Sequence, residues 1–194
     1  MTDSIGLLAA RVRQSPPRLG DVRLIVVDGP AGSGKTTFAA RLASVLGNAP
    51  VVHMDDLYEG WDGLHAGLWQ RLESQLLGPL RNGRPARYQV FDWAAGRFAQ
   101  WVEVPPAAAL VLEGVGAAAL PVDSSAVLRV WVEAPEELRL ARGLARDGEA
   151  LRDEWVRWTA LEAAHFAADD TRGRADLVVD GSRCRWPLVD GAGD

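Results

Sequence analysis

Cysteine is nearly missing from this 194-residue chain: Cys184 stands alone, which excludes an internal disulfide framework and any all-cysteine metal site and fits a reducing compartment. Histidine is scarce as well, and His53, His65 and His165 lie too far apart for ligand spacing. Positive charge is not in excess. The formal net charge is −5, so no bulk field favours nucleic acid or an anionic membrane, and neither is expected as a partner. Apolar runs are short: residues 104–112 and 114–122 are both interrupted by proline and fall well below the roughly 20 residues that span a bilayer. The patch at residues 5–10 lacks the basic lead of a targeting peptide, so a soluble cytoplasmic protein is expected. Lysine is the most informative shortage. Of 21 basic residues twenty are arginine, and the single lysine, Lys35, falls inside a glycine-rich segment.

Length and a 48% apolar content suit one compact domain over residues 1–194. Apolar strand-like runs at residues 22–27, 51–54, 108–112, 127–132 and 175–179 alternate with helix-like stretches at residues 38–46, 64–80, 136–146 and 149–168. A further helix at residues 5–12 precedes the first strand, with sheet or second subunit as its packing partner, so a homo-oligomer stays open. Such alternation predicts an α/β fold with a parallel sheet covered on both faces. Residues 82–106 break the pattern: aromatic-rich, they read as a hairpin or flap over an acceptor region.

Gly29-Pro30-Ala31-Gly32-Ser33-Gly34-Lys35-Thr36 satisfies G-x-x-x-x-G-K-[ST] at every fixed position, between a predicted strand and a predicted helix. The residue types suit the chemistry. Glycines let successive backbone N–H groups face a polyphosphate, the helix N-terminus adds a favourable dipole, Lys35 reaches the β- and γ-phosphates, and Thr36 can bind Mg²⁺. Nucleotide contacts are therefore expected from residues 29–36 and Thr37, with ATP or GTP and Mg²⁺ as cofactors and a small molecule as the second substrate. A guanine-reading N-K-x-D element requires a second lysine, so classical GTPases are excluded. The L-S-G-G-Q segment of transport ATPases is absent too, which leaves small-molecule kinases as the best class.

Ligands of open parallel sheets lie beyond the carboxyl ends of the strands. Asp28, Asp55, Asp56 and Glu113 all follow predicted strands and are expected to converge on the phosphates. Asp55 suits the deprotonation of an attacking hydroxyl, and Glu113, with Thr36 and Asp55, suits the metal. Arg139, Arg142 and Arg146 stand at i, i+3 and i+7, one helical face within a lid-like segment at residues 135–150, and three like charges there call for an anionic partner. Trp61, Tyr88, Phe91 and Trp93 could stack on a planar acceptor or form flap core, whereas Trp155, Trp158 and Leu161 read as core.

The glycine-rich segment, His53-Met54-Asp55-Asp56-Leu57-Tyr58, Leu112-Glu113-Gly114 and Arg139-Leu140-Ala141-Arg142 with Arg146-Asp147 together resemble the uridine kinase-like branch of P-loop kinases over residues 22–180. The resemblance implies a P-loop NTPase three-layer sandwich, nucleoside-monophosphate-kinase-like, with a five-stranded parallel sheet in the order 2-3-1-4-5. It implies ATP-dependent transfer to a hydroxyl, most readily of a nucleoside, with Asp55 as base and Lys35, Arg139, Arg142 and Arg146 on the phosphates. Tyr58 would face the acceptor, and Phe91-Asp92-Trp93 is similar to the family's Tyr-Asp-Phe acceptor element. Phe91 replaces the tyrosine of that element, and no histidine follows in Ala94-Ala95-Gly96. A kinase of a non-nucleoside and an ATP-binding regulatory protein on a kinase-like scaffold are the alternatives.

Overall fold

The computed structural model describes residues 4–64 and 67–183. His65, Cys184 and the tail that follows lie outside the described residues. Five parallel strands make the central sheet: β1 (Arg23–Asp28), β2 (Val51–His53), β5 (Ala109–Glu113), β6 (Ala126–Glu133) and β7 (Leu177–Asp180). Their spatial order is β2-β5-β1-β6-β7, the expected 2-3-1-4-5 when the sheet strands alone are numbered. The intervening β3 (Ala86–Asp92) and β4 (Arg97–Val104) pair antiparallel in a separate hairpin, the form expected for residues 82–106.

Strands this apolar need cover on both faces, and two clusters supply it. On one face Ile25, Val27, Val111 and Val130 pack with Ile5, Leu8 and Val12 of α1 (Ser4–Gln14) and with Phe38 and Leu42 of α2 (Lys35–Val45). The N-terminal helix therefore packs within its own chain. On the other face Leu24, Val26 and Leu112 meet Leu68 and Leu72 of α3 (Leu68–Leu72), Leu76, Leu80 of α4 (Gly78–Arg81), and Tyr88 of the hairpin. The helix expected at residues 64–80 is thus realised as α3 and α4 joined by a π-helical stretch, Glu73–Leu77. Pro79 lies at the start of α4, directly after the π-helical turn, and has no N–H to give to the helical ladder.

Between β6 and β7 lie α5 (Glu136–Asp147) and α6 (Arg152–Asp169). A Cβ on Gly143 would collide with the Trp155 ring, so this glycine is what lets α6 lie close against α5. No helix among the described residues is long and apolar enough to cross a membrane.

Candidate functional site

At the carboxyl ends of β1, β2 and β5 a cavity of about 800 Å³ opens against the start of α2. The turn from β1 into α2 holds Gly29, Gly32 and Gly34 at positive φ, which side-chain-bearing residues seldom adopt. At Gly32 a Cβ would also strike the backbone of Arg139, so both conformation and space require glycine. The first amides of α2 have no intrahelical acceptor, and they lie at the cavity together with Lys35, Thr36 and Thr37. Lys35, largely buried, donates its Nζ to the Pro30 carbonyl at 3.0 Å.

Strand ends bring the acidic groups in. The Thr36 hydroxyl donates to Glu113 Oε1 at 3.1 Å, and His53 Nδ1 lies 2.5 Å from the same oxygen. That contact with Glu113 raises the His53 pKa, against the opposing effect of burial. Asp55 lines the cavity, and the low-polarity surroundings raise its pKa while the Lys35 ammonium pulls it down. Thr36 and Glu113 offer adjacent oxygen donors of the kind a hard cation such as Mg²⁺ takes, and Asp55 lines the same cavity. Among the described residues no group of three or more His, Cys, Asp or Glu side chains could hold a metal alone, so these donors would share an ion with phosphate oxygens and water.

Asp28 does not join them. It is fully buried behind the turn, where Oδ1 accepts the amides of Gly29 (2.7 Å) and Gly116 (3.0 Å) and Oδ2 that of Ala118 (2.8 Å). Burial pushes its pKa up to about 6 despite those amides. Its position ties the ends of β1 and β5 together, which corrects the expectation that it converges on the phosphates.

The arginine face of α5 divides. Arg142 lines the cavity and donates to the carbonyls of Gly32 (3.2 Å) and Gly181 (3.1 Å), and Arg146 lines it beside its ion-pair partner Asp147 at 2.7 Å. Arg139 turns behind the glycine-rich turn instead, 3.0 Å from Glu162 Oε1 and 3.3 Å from the Ala31 carbonyl. The reason is Glu162, which is 1% exposed and needs a cation. The other Glu162 oxygen accepts the Ala31 amide at 2.8 Å. The placement expected for Arg139, on the phosphates, is therefore corrected to a brace beneath the loop.

The residues expected at an acceptor divide likewise. Tyr58 forms part of the wall, but its buried hydroxyl donates to the Val115 carbonyl at 2.6 Å and its ring packs 5.0 Å from Trp158. Trp93 reaches the cavity and donates Nε1 to the Asp55 carbonyl at 3.1 Å. Asp92 does not reach it: Oδ1 accepts the amides of Ala94 (3.0 Å) and Ala95 (2.9 Å), closing the hairpin turn as aspartate commonly does. Phe91 is hairpin core against Phe98 at 5.2 Å, and Tyr88 is buried with its hydroxyl on Asp56 at 3.0 Å. Trp155 and Trp158, which the α6 spacing assigned to the core, are buried yet form cavity wall with Trp61. The i, i+3 spacing marked their shared face without showing what it meets.

No family model matches the chain. A curated relative, the inorganic pyrophosphatase TTM1 of Arabidopsis thaliana, is 25% identical over 133 residues, 64% of this chain, which spans only 20% of that protein. Among solved structures, a protein described as a "Possible Uridine Kinase" from Bacillus stearothermophilus superposes with a TM-score of 0.65 at 19% identity, covering 90% of this chain and 96% of that one. A proposed fructose transport system kinase from Silicibacter sp. TM1040 gives 0.66 at 19% identity, covering 86% and 95%. D-glycerate 3-kinase from Cryptococcus neoformans gives 0.57 at 12% identity, covering 96% of each chain. With its glycine-rich turn, 2-3-1-4-5 sheet and these neighbours, the chain has the fold of the P-loop kinases.

Proposed function

We propose that the chain is a Mg²⁺- and ATP-dependent phosphotransferase that moves the γ-phosphoryl group to a hydroxyl of a small acceptor. The observation that carries this reading is the meeting of Lys35, Thr36, Glu113 and Asp55 in one cavity at the start of α2. Phosphoryl transfer asks a protein mainly for positioning and charge neutralisation, and these residues supply both. The amides at the start of α2 and the Lys35 ammonium hold the phosphates. Arg142 and Arg146 offset the charge of the transferring group. Asp55 accepts the acceptor's proton as its oxygen bonds to the γ-phosphorus, the bond from that phosphorus to the β,γ-bridging oxygen breaks, and ADP leaves. Bound at Thr36 and Glu113, Mg²⁺ would neutralise phosphate charge.

Of the residues on which the nucleoside reading rested, Tyr58 and Trp93 line the cavity, whereas Phe91 and Asp92 are engaged within the hairpin away from it. Their engagement favours an acceptor recognised by the cavity wall itself, and so the non-nucleoside alternative. The test is ADP formation from Mg-ATP across a panel of nucleosides, sugars and amino alcohols, with Lys35→Ala as the blank. Acceptor-dependent ADP that disappears in the blank is the expected result. Slow ADP release indifferent to every acceptor would instead favour the regulatory reading.

A further inference from the structure

Away from the glycine-rich turn, the cavity wall consists largely of indole rings and carboxylates. Trp61 is the hub, with ring centroids 5.6 Å from Trp93, 6.1 Å from Trp158 and 6.4 Å from Trp155. The corresponding interplanar angles are 71°, 77° and 65°, so the wall turns corners and does not form parallel plates. A nucleobase asks for a flat stacking face and for in-plane hydrogen bonds at its polar edge. Among the described residues the wall has no Asn, Gln, Ser or His side chain, the Tyr58 hydroxyl is engaged with Val115, and its other polar side chains beyond the turn are charged carboxylates and arginines. Two indoles have engaged their N–H groups as well, Trp93 with the Asp55 carbonyl and Trp155 with Asp147 Oδ2 at 3.1 Å. These rings act on a ligand through their faces.

An indole face and a carboxylate attract the same partner, a positive charge. Asp55 and Asp56 stand at the same end of the cavity as Trp93. One cation of the protein already lies against this wall: the Arg146 guanidinium, held by Asp147 at 2.7 Å, is 5.8 Å from the Trp155 ring centroid. Lys35 and Arg142 are held at the glycine-rich turn by backbone carbonyls, where phosphate charge would absorb them.

We infer that the acceptor is a hydroxylated organic cation, an amino alcohol whose ammonium group lies against the tryptophan wall while its hydroxyl faces Asp55. The hydroxyl rests on the phosphotransferase reading, and the ammonium on the wall alone.

Titration calorimetry on the full chain without nucleotide separates the two. Choline is the probe, 3,3-dimethylbutan-1-ol its uncharged isostere, and uridine the planar competitor. Choline is expected to bind about tenfold more tightly than the isostere, the scale of a desolvated cation over indole. Trp93→Leu alters an exposed ring and Asp56→Asn is nearly isosteric; with circular dichroism unchanged, each is expected to cut the choline-to-isostere ratio severalfold. Equal affinity for the isostere, tighter binding of uridine, or no saturable choline binding overturns the inference. Preferential choline binding without choline-stimulated ADP formation upholds the cation site and contradicts transfer to it. Uridine-stimulated ADP formation without a choline response upholds transfer and overturns the cation.

Discussion

Glu162 accepts the amide of Ala31 at 2.8 Å, so the helix that carries Trp155 and Trp158 also grips the glycine-rich turn. Its second oxygen holds Arg139 at 3.0 Å, which closes a buried bridge from α6 through the loop to α5. The tryptophan wall of the cavity and the glycine-rich turn are thereby parts of one packed unit.

Breaking that bridge is expected to cost stability. Glu162→Ala leaves the Ala31 amide without its acceptor and the largely buried Arg139 guanidinium without its counter-charge, with only the Ala31 and Ala134 carbonyls still accepting from it, a loss of about 3 kcal/mol on the scale of broken buried pairs. Glu162→Gln keeps an acceptor for the amide and should lose less. Urea unfolding of the two variants checks the order, and an Ala variant as stable as the parent would show that the bridge contributes nothing.

Asp28 sets a pH dependence of unusual sign. Its folded-state pKa of about 6 exceeds the ordinary 3.8, so between those values the folded protein binds more protons than the unfolded chain. Its contribution is therefore fully present below pH ~4 and is lost as pH rises through ~6, on the order of 3 kcal/mol in all. Asp28→Asn removes the titrating group. The stability difference between parent and variant, followed by thermal unfolding from pH 4 to 7, should move against the parent as pH rises and then level off.

Asp55→Asn should suppress transfer by roughly 10²- to 10⁴-fold, the usual contribution of a positioned base, while ATP still binds. Because burial raises the Asp55 pKa, the acid limb of the parent's kcat/KM profile should lie above the ordinary aspartate range, with activity falling as pH drops through it. Turnover by the variant at the parental rate would remove Asp55 from the base role.

Asp92→Ala makes the opposite prediction. Its carboxylate caps the hairpin turn and stands outside the cavity, so the variant should melt lower, by about 1 kcal/mol of stability, with acceptor KM unchanged. A KM raised tenfold at constant stability would return Asp92 to the acceptor site.

The parts legible in the sequence were those carried by contiguous residues. Residues 29–36 combine turn, glycines and charge in one segment, and the strand-helix alternation requires a doubly covered sheet, so the fold and the place of the glycine-rich turn in it followed. The tryptophan wall is assembled from Trp61, Trp93, Trp155 and Trp158, which are joined only by tertiary packing. Trp155 and Trp158 satisfy the core reading and are indeed buried; that their buried faces edge a cavity depends on Gly143 admitting α6 close to α5. Arg139 shares its helical face with Arg142 and Arg146, but Glu162, 23 positions away along the chain, decides where it points. Asp92 occupied a suggestive motif, and local turn chemistry claimed its carboxylate.

The most direct measurement is acceptor-dependent ADP formation from Mg-ATP by the parent chain and by Lys35→Ala, side by side. Phosphotransfer predicts ADP stoichiometric with a phosphorylated acceptor in the parent and a loss of at least about a hundredfold in the variant, the scale of removing one preorganised transition-state charge. ADP formed at the same rate with and without every acceptor, or undiminished in Lys35→Ala, would contradict it.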